Sequence, residues 1–158
     1  DLGDVTPAVH RLRDDFDLPG MRILQWAFFD EDATSGDLPH RHPEHAVVYP
    51  GTHDNDTIAG WYRDLPSAAR SRFHAYAGEG SRRDPAAAMT RLAFTSPANT
   101  TIVQMQDLLG LGRSARMNVP GRPRGNWRWR LATNAQTTSL ARKLHKLSLA
   151  SGRLEETR

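Results

Sequence analysis

The densest run of reactive side chains is Thr52-His53-Asp54-Asn55-Asp56-Thr57. A carboxylate can carry a proton, accept hydroxyl donors or stabilise positive charge that develops in a transition state, and a neighbouring histidine and asparagine can add hydrogen bonds. Helix capping by Asp54 or Asp56 accounts for one aspartate but not for the whole hexad. A calcium loop does not fit, because Ile58 falls where a third oxygen ligand is needed and the closing glutamate is missing. The histidines of His40-x-His42-x-x-His45 keep no zinc-ligand spacing, so no metal is expected. Gly78-Glu79-Gly80 and Gly110-Leu111-Gly112 lack the further glycine of a dinucleotide loop. Neither a Gly-Lys-Ser/Thr phosphate loop nor a Gly-x-Ser-x-Gly nucleophile elbow occurs, and no cofactor is expected. The chemistry left is that of carboxylates, with amides, imidazoles and aromatic rings that suit sugar hydroxyls and sugar faces. Aspartates of this kind stabilise an oxocarbenium-like transition state.

The hexad must be positioned by the elements around it. Thr6-Pro7 reads as an N-cap and first helical residue, and Val9, Leu12 and Phe16 predict a helix from about Thr6 to Phe16. After Leu18-Pro19-Gly20, the apolar run Met21–Ala27 predicts a buried strand, followed by a long polar loop from about Phe28 to Glu44. His45–Tyr49 predicts a second strand running straight into the hexad. Ile58, Trp61, Tyr62, Leu65, Ala69, Phe73 and Tyr76 then form a helical stripe that Pro66 must kink or split. Asp84-Pro85 opens another helix through Met89 and Leu92, Thr100–Met105 predicts a third strand, and Leu140, Leu144 and Leu147 predict a helix near Ala135–Ala150. This order is that of a parallel α/β protein, whose site lies at the C-terminal ends of the strands. Three strands close no barrel, and a (β/α)₈ barrel takes roughly 250 residues. The chain therefore reads as the last part of a barrel or as a small open sheet.

Composition narrows the class. The chain has 158 residues, 38% hydrophobic and 25% charged, with no cysteine. That is a globular domain without a disulfide framework, a zinc ribbon or a thiol nucleophile. The longest apolar stretch, around Met21–Phe29, contains Arg22 and Gln25, so no membrane span is expected, and cytoplasm is the expected compartment. Charge is uneven: residues 1–112 hold ten Lys and Arg against sixteen Asp and Glu, whereas residues 113–158 hold eleven against two. With Trp127 and Trp129 alternating with Arg128 and Arg130, this tail opens an alternative reading as a non-enzymatic nucleic-acid-binding module. Such binding would weaken steeply with salt, whereas binding of a neutral sugar would not. The bland reading of Arg128 and Arg130 is the solvated face of a structural strand.

Six segments carry a family resemblance. Tyr-Pro-Gly-Thr-His-Asp-Asn-Asp-Thr at 49–57 resembles the signature of the 4-α-glucanotransferases, the amylomaltases or disproportionating enzymes. So do Asp1-Leu2-Gly3, Leu18-Pro19-Gly20-Met21, Gln106–Gly112, Ala115–Gly121 and Gly125–Arg130, in the family's order and over essentially the whole chain. The resemblance implies an α/β fold, the C-terminal part of a (β/α)₈ barrel with about its last three strands. Residues 1–158 would form a single segment of the catalytic barrel domain, with the earlier strands outside it. It also implies transfer of α-1,4-glucan segments between maltodextrins by a retaining double displacement. The implied partners are maltooligosaccharides, with neither nucleic acid nor membrane. Asp54 would be the carboxylate that stabilises the transition state, and His53 would bind the same sugar. The family's acid/base glutamate directly precedes the Asp-Leu-Gly matched at Asp1, and its nucleophilic aspartate lies on an earlier strand, so the chain alone is expected to be inactive. By the same resemblance Asp1 belongs to a donor-side subsite and Asn118 to the acceptor side, with a turn asparagine as its bland reading; Asp30, in the loop after the first strand, is read either as a contact for glucan hydroxyls or as a solvated loop acid. Trp26, Trp61, Trp127 and Trp129 are read as core rather than as sugar platforms. Pro50 and the charged turn Arg122-Pro123-Arg124 depart from the family's pattern. A glucan hydrolase of the same clan is a further alternative, differing in whether water or a sugar hydroxyl accepts the glycosyl unit.

Overall fold

A computed structural model describes residues 5–29, 31 and 34–154. Three parallel strands form its sheet: β1 (Gly20–Ile23), β2 (Ala46–Tyr49) and β3 (Thr100–Thr101), in the order β1-β2-β3. Gly20 pairs with Ala46 and Val47 with Thr100, which makes β2 the central strand. The helices are α1 (Pro7–Asp15), α2 (Ile58–Asp64), α3 (Ser67–Ala77), α4 (Gly80–Arg83), α5 (Pro85–Phe94), α6 (Met105–Leu108) and α7 (Thr138–Ala150). This is the parallel α/β arrangement expected from the sequence.

Strand alternation decides which side chains enter the core. Ala46 and Val48 of β2 are buried with Leu24, Phe28, Ile58, Trp61, Phe73 and Met89, so that face of the sheet packs under α2, α3 and α5. Phe28 and Phe73 meet edge to face at 5.1 Å, and Trp61 meets Phe73 at 5.6 Å. Val47 and Tyr49, on the other face, are only half-buried. Pro66 splits the long helical stripe into α2 and α3, as its missing N–H and fixed φ require. Asp84 caps α5 by accepting the Ala87 N–H at 2.9 Å.

Two strands are shorter than the apolar runs that announce them. After Ile23 the chain turns into a 3₁₀ turn, Leu24–Trp26, which brings the Gln25 amide within 2.7 Å of the Asp56 carbonyl. On the third strand, Ile102 still donates to the Val48 carbonyl at 3.0 Å. The ladder then stops, because β2 ends at Pro50, which has no N–H, and Met105 begins α6. Another correction concerns Arg128 and Arg130. They lie in no strand, for Trp127 has φ +61° and Arg130 folds back onto the Trp127 and Trp129 carbonyls, both at 2.8 Å. Trp61 is core as expected, but Trp26 and Trp127 are about half-exposed. No described helix is long and apolar enough to cross a membrane.

Candidate active site

The hexad follows β2 at its C-terminal end and closes on itself before α2 begins. Asn55 Oδ1 accepts from the Thr52 N–H and from Thr52 Oγ1, both at 2.8 Å, while the Asn55 N–H donates to the Thr52 carbonyl at 3.1 Å. That is a tight turn held by an asparagine side chain. Gly51 leaves room beneath it: a Cβ there would lie 2.7 Å from the Gln25 amide nitrogen, which itself bonds the Asp56 carbonyl at 2.7 Å. Gln104, just before α6, donates to the Gly51 carbonyl at 2.8 Å.

Helix α2 is capped by groups other than Asp54. Thr57 Oγ1 accepts the Gly60 N–H at 3.2 Å, Asp56 Oδ1 accepts the Thr57 N–H at 2.8 Å, and Asp107 Oδ1 accepts the Ile58 N–H at 2.7 Å. Asp56 and Asp107 are both buried. Arg113 neutralises Asp56 through Nε at 2.6 Å and also bonds Asp64 at the far end of α2. Burial pushes Asp107 up to about 6, with Asp56 adding to the rise and the Ile58 N–H opposing it. The capping role that would explain away one aspartate thus falls to Asp56 and Asp107, and Asp54 is left out of it.

The Asp54 side chain is 37% exposed, and its Oδ1 lies 3.3 Å from His53 Nε2. From the segment after α6, the Asn118 amide donates to Asp54 Oδ1 at 2.6 Å, and the Asn118 N–H donates to the His53 carbonyl at 3.1 Å. Arg116 donates to the Asp54 carbonyl at 2.6 Å. The Trp127 ring lies 5.1 Å from the His53 imidazole. An open cavity of about 360 Å³ borders the cluster, lined among others by Tyr49, His53, Ile102, Gln104, Met117 and Trp127. A half-exposed carboxylate with an amide and an imidazole beside it, next to a cavity walled by two aromatic rings, suits a polyhydroxylated, uncharged ligand.

Of the residues singled out from sequence, His53, Asp54 and Asn118 come together here; Asp1 and Asp30 lie outside the described residues. The remaining histidines go separate ways: His40 to the Tyr76 hydroxyl, His42 to Ser96 and the Asp37 carbonyl, His45 to the Asp17 carbonyl. Among the described residues, no three His, Cys, Asp or Glu side chains are grouped to hold a metal ion. Two site residues were missed in the sequence, Arg116 and Trp127. Their segments carried signals, one beside Asn118 and the other among the tail arginines, but nothing local pointed at Asp54 or His53.

Comparison with known proteins identifies the family and the fold. A family profile described as 4-alpha-glucanotransferase matches residues 1–136. The chain is 44% identical over 161 residues to a 4-alpha-glucanotransferase of Thermus thermophilus, covering 98% of this chain and 32% of the relative. It is 43% identical over 147 residues to a chloroplastic/amyloplastic 4-alpha-glucanotransferase of Oryza sativa subsp. japonica, covering 93% of this chain and 25% of the relative. A solved amylomaltase from Streptococcus agalactiae, in complex with acarbose, superposes with a TM-score of 0.93 at 30% identity, over 98% of this chain and 31% of that one. The chain spans about a quarter to a third of the length of these proteins.

Proposed function

Because this chain belongs to the 4-alpha-glucanotransferase family, we propose that it supplies one wall of the active site of an enzyme that transfers α-1,4-glucan segments between maltodextrins. Residues 1–158 form one segment, the C-terminal part of the catalytic barrel, and the compartment is the cytoplasm, which suits a chain without cysteine. The observation that carries the reading is Asp54 at the end of β2, spared from helix capping, with Asn118 at 2.6 Å and His53 at 3.3 Å on the same oxygen.

In a retaining displacement, one carboxylate attacks the anomeric carbon and a second carboxylic acid protonates the departing oxygen, the two standing about 5–5.5 Å apart. A third carboxylate stabilises the sugar as positive charge develops on it. Asp54 takes that third role: Asn118 holds one of its oxygens, and the carboxylate stays fixed for the charged transition state. His53 binds the sugar beside it, Asn118 serves the acceptor side, Trp127 offers a ring face, Asp1 belongs to a donor-side subsite and Asp30 meets glucan hydroxyls. The nucleophile and the acid/base that this mechanism also requires have no match within residues 1–158.

The test is a chimera in which these residues replace the matching third of the Thermus thermophilus relative. It is expected to disproportionate maltotriose, and Asp54→Asn is expected to lower turnover by about a thousandfold or more while acarbose still binds. Near-normal turnover in Asp54→Asn removes Asp54 from catalysis. Release of free glucosyl units to water without any transfer would favour a hydrolase instead.

A further inference from the structure

We propose that Arg116 is a positioning residue for Asp54, its guanidinium spanning two backbone carbonyls and thereby setting the hydrogen bond that Asn118 makes to the Asp54 carboxylate. The inference rests on the role proposed above for Asp54. Arg116 Nη2 donates to the Asp54 carbonyl at 2.6 Å, and its Nε donates to the Asn118 carbonyl at 2.7 Å. The two residues so gripped are the two that meet through Asn118 Nδ2 and Asp54 Oδ1 at 2.6 Å. One planar fork therefore sets the backbone separation across which that contact is made. The fork holds carbonyl oxygens, so it acts on the carboxylate through its place in space. Lysine, a single point on a flexible stem, cannot reproduce two bonds made from one rigid plane.

The rest of the segment is anchored independently. Arg113, just before it, bonds Asp56 at 2.6 Å, and beyond it the Trp127 N–H donates to the Met117 carbonyl at 2.7 Å. With both flanks held, removal of the Arg116 side chain leaves the segment in place and loosens the Asp54 contact alone. A displacement of about 1 Å in a catalytic group costs on the order of 100-fold in rate.

The experiment uses the same chimera carrying Arg116→Ala or Arg116→Lys, with the exposed Arg122→Ala as control. In Arg116→Ala, kcat for maltotriose disproportionation is expected to fall roughly 10- to 100-fold with KM within about threefold. Arg116→Lys is expected to recover little of the loss, and the Asn118 amide, bonded to the His53 carbonyl, is expected to exchange with solvent about tenfold faster in both variants. Turnover within twofold of the unmutated chimera in Arg116→Ala overturns the proposal. Full recovery by lysine also overturns it, since charge and not the fork would then matter. If Arg116→Ala does not fold, Arg116→Lys decides by the same readings. If the unmutated chimera folds yet transfers nothing, the functional reading fails, and amide exchange alone decides the positioning role: an unchanged rate at Asn118 refutes it.

Discussion

Asp54 is available for chemistry because its neighbours do the structural work. Thr57, Asp56 and Asp107 satisfy the first N–H groups of α2, so the one carboxylate left half-exposed is the one facing His53 and Asn118. The hexad itself was legible, since polar density directly after an apolar strand is a local pattern. Its capping partner was not, because Asp107 lies 49 residues from Ile58 and only folding brings the two together. That partner carries a pH signature. Asp107 sits at about 6 when folded against an ordinary carboxylate value of 3.8, so between those values the folded chain holds a proton that the unfolded chain has released. Its contribution to stability is therefore fully present below about pH 4 and is lost as the pH rises through about 6. Asp107→Asn keeps an oxygen for the Ile58 N–H and removes the ionisation. In the chimera it is expected to be more stable than the parent at pH 7, by on the order of 1–3 kcal/mol, and equal to it near pH 4. Denaturant titrations at the two pH values check this. His42 and His74, which burial holds below the ordinary imidazole range, impose the opposite slope below about pH 6.5, but they are common to both proteins and cancel in the difference.

At the scale of elements, the helices followed their signals closely and two of the strands did not. Thr6-Pro7 and Asp84-Pro85 start helices, and Pro66 divides one, because caps and proline act within a turn of the chain. Strand length depends on a partner. The third strand loses its ladder where Pro50 ends β2, and β1 gives way to the turn that aims Gln25 at the Asp56 carbonyl. The close approach of α2 to its own N-terminal loop adds a demand that no propensity records. A Cβ on Gly60 would fall 2.5 Å from Asp56 Oδ1, and Asp56 cannot yield while Arg113 and the Thr57 N–H hold it. Gly60→Ala is therefore expected to cost about 1–3 kcal/mol and to lower turnover by shifting the hexad. A thermal melt with a parallel maltotriose assay in the chimera checks both, and wild-type values in both would show that the loop absorbs the methyl group.

For the molecule as a whole, the described residues pack one face of the sheet closely and leave the other half-open. Val9, Leu12, Phe16 and Leu18 around α1 and Ile102 beside β3 are exposed, and a groove of about 400 Å³ runs between α1 and Met21, Val47 and Tyr49. With β1 and β3 at the two edges, the described residues place sheet edges next to apolar surface. This chain by itself is expected to self-associate or unfold partly, and to leave maltotriose unchanged. Sedimentation at micromolar concentration with a thermal melt checks this, a cooperative transition from a monomer being the contrary result.

What the sequence by itself determined was the local chemistry. Polar density after a strand marked His53 and Asp54, caps and prolines marked the helices, and six ordered segments marked the family. Each of these is written in neighbouring residues or in their order. The tertiary structure decided the pairings across the chain: Asn118 on an aspartate 64 residues away, Arg113 on Asp56, Arg116 on the Asp54 carbonyl and Trp127 on His53. The segment from Met117 to Thr137 has neither helix nor strand to give it a period, so its residues acquire roles only when the fold lays them against the end of β2. Hydrogen bonds of 2.6 to 2.7 Å then fix what composition alone presented as a basic, solvated tail.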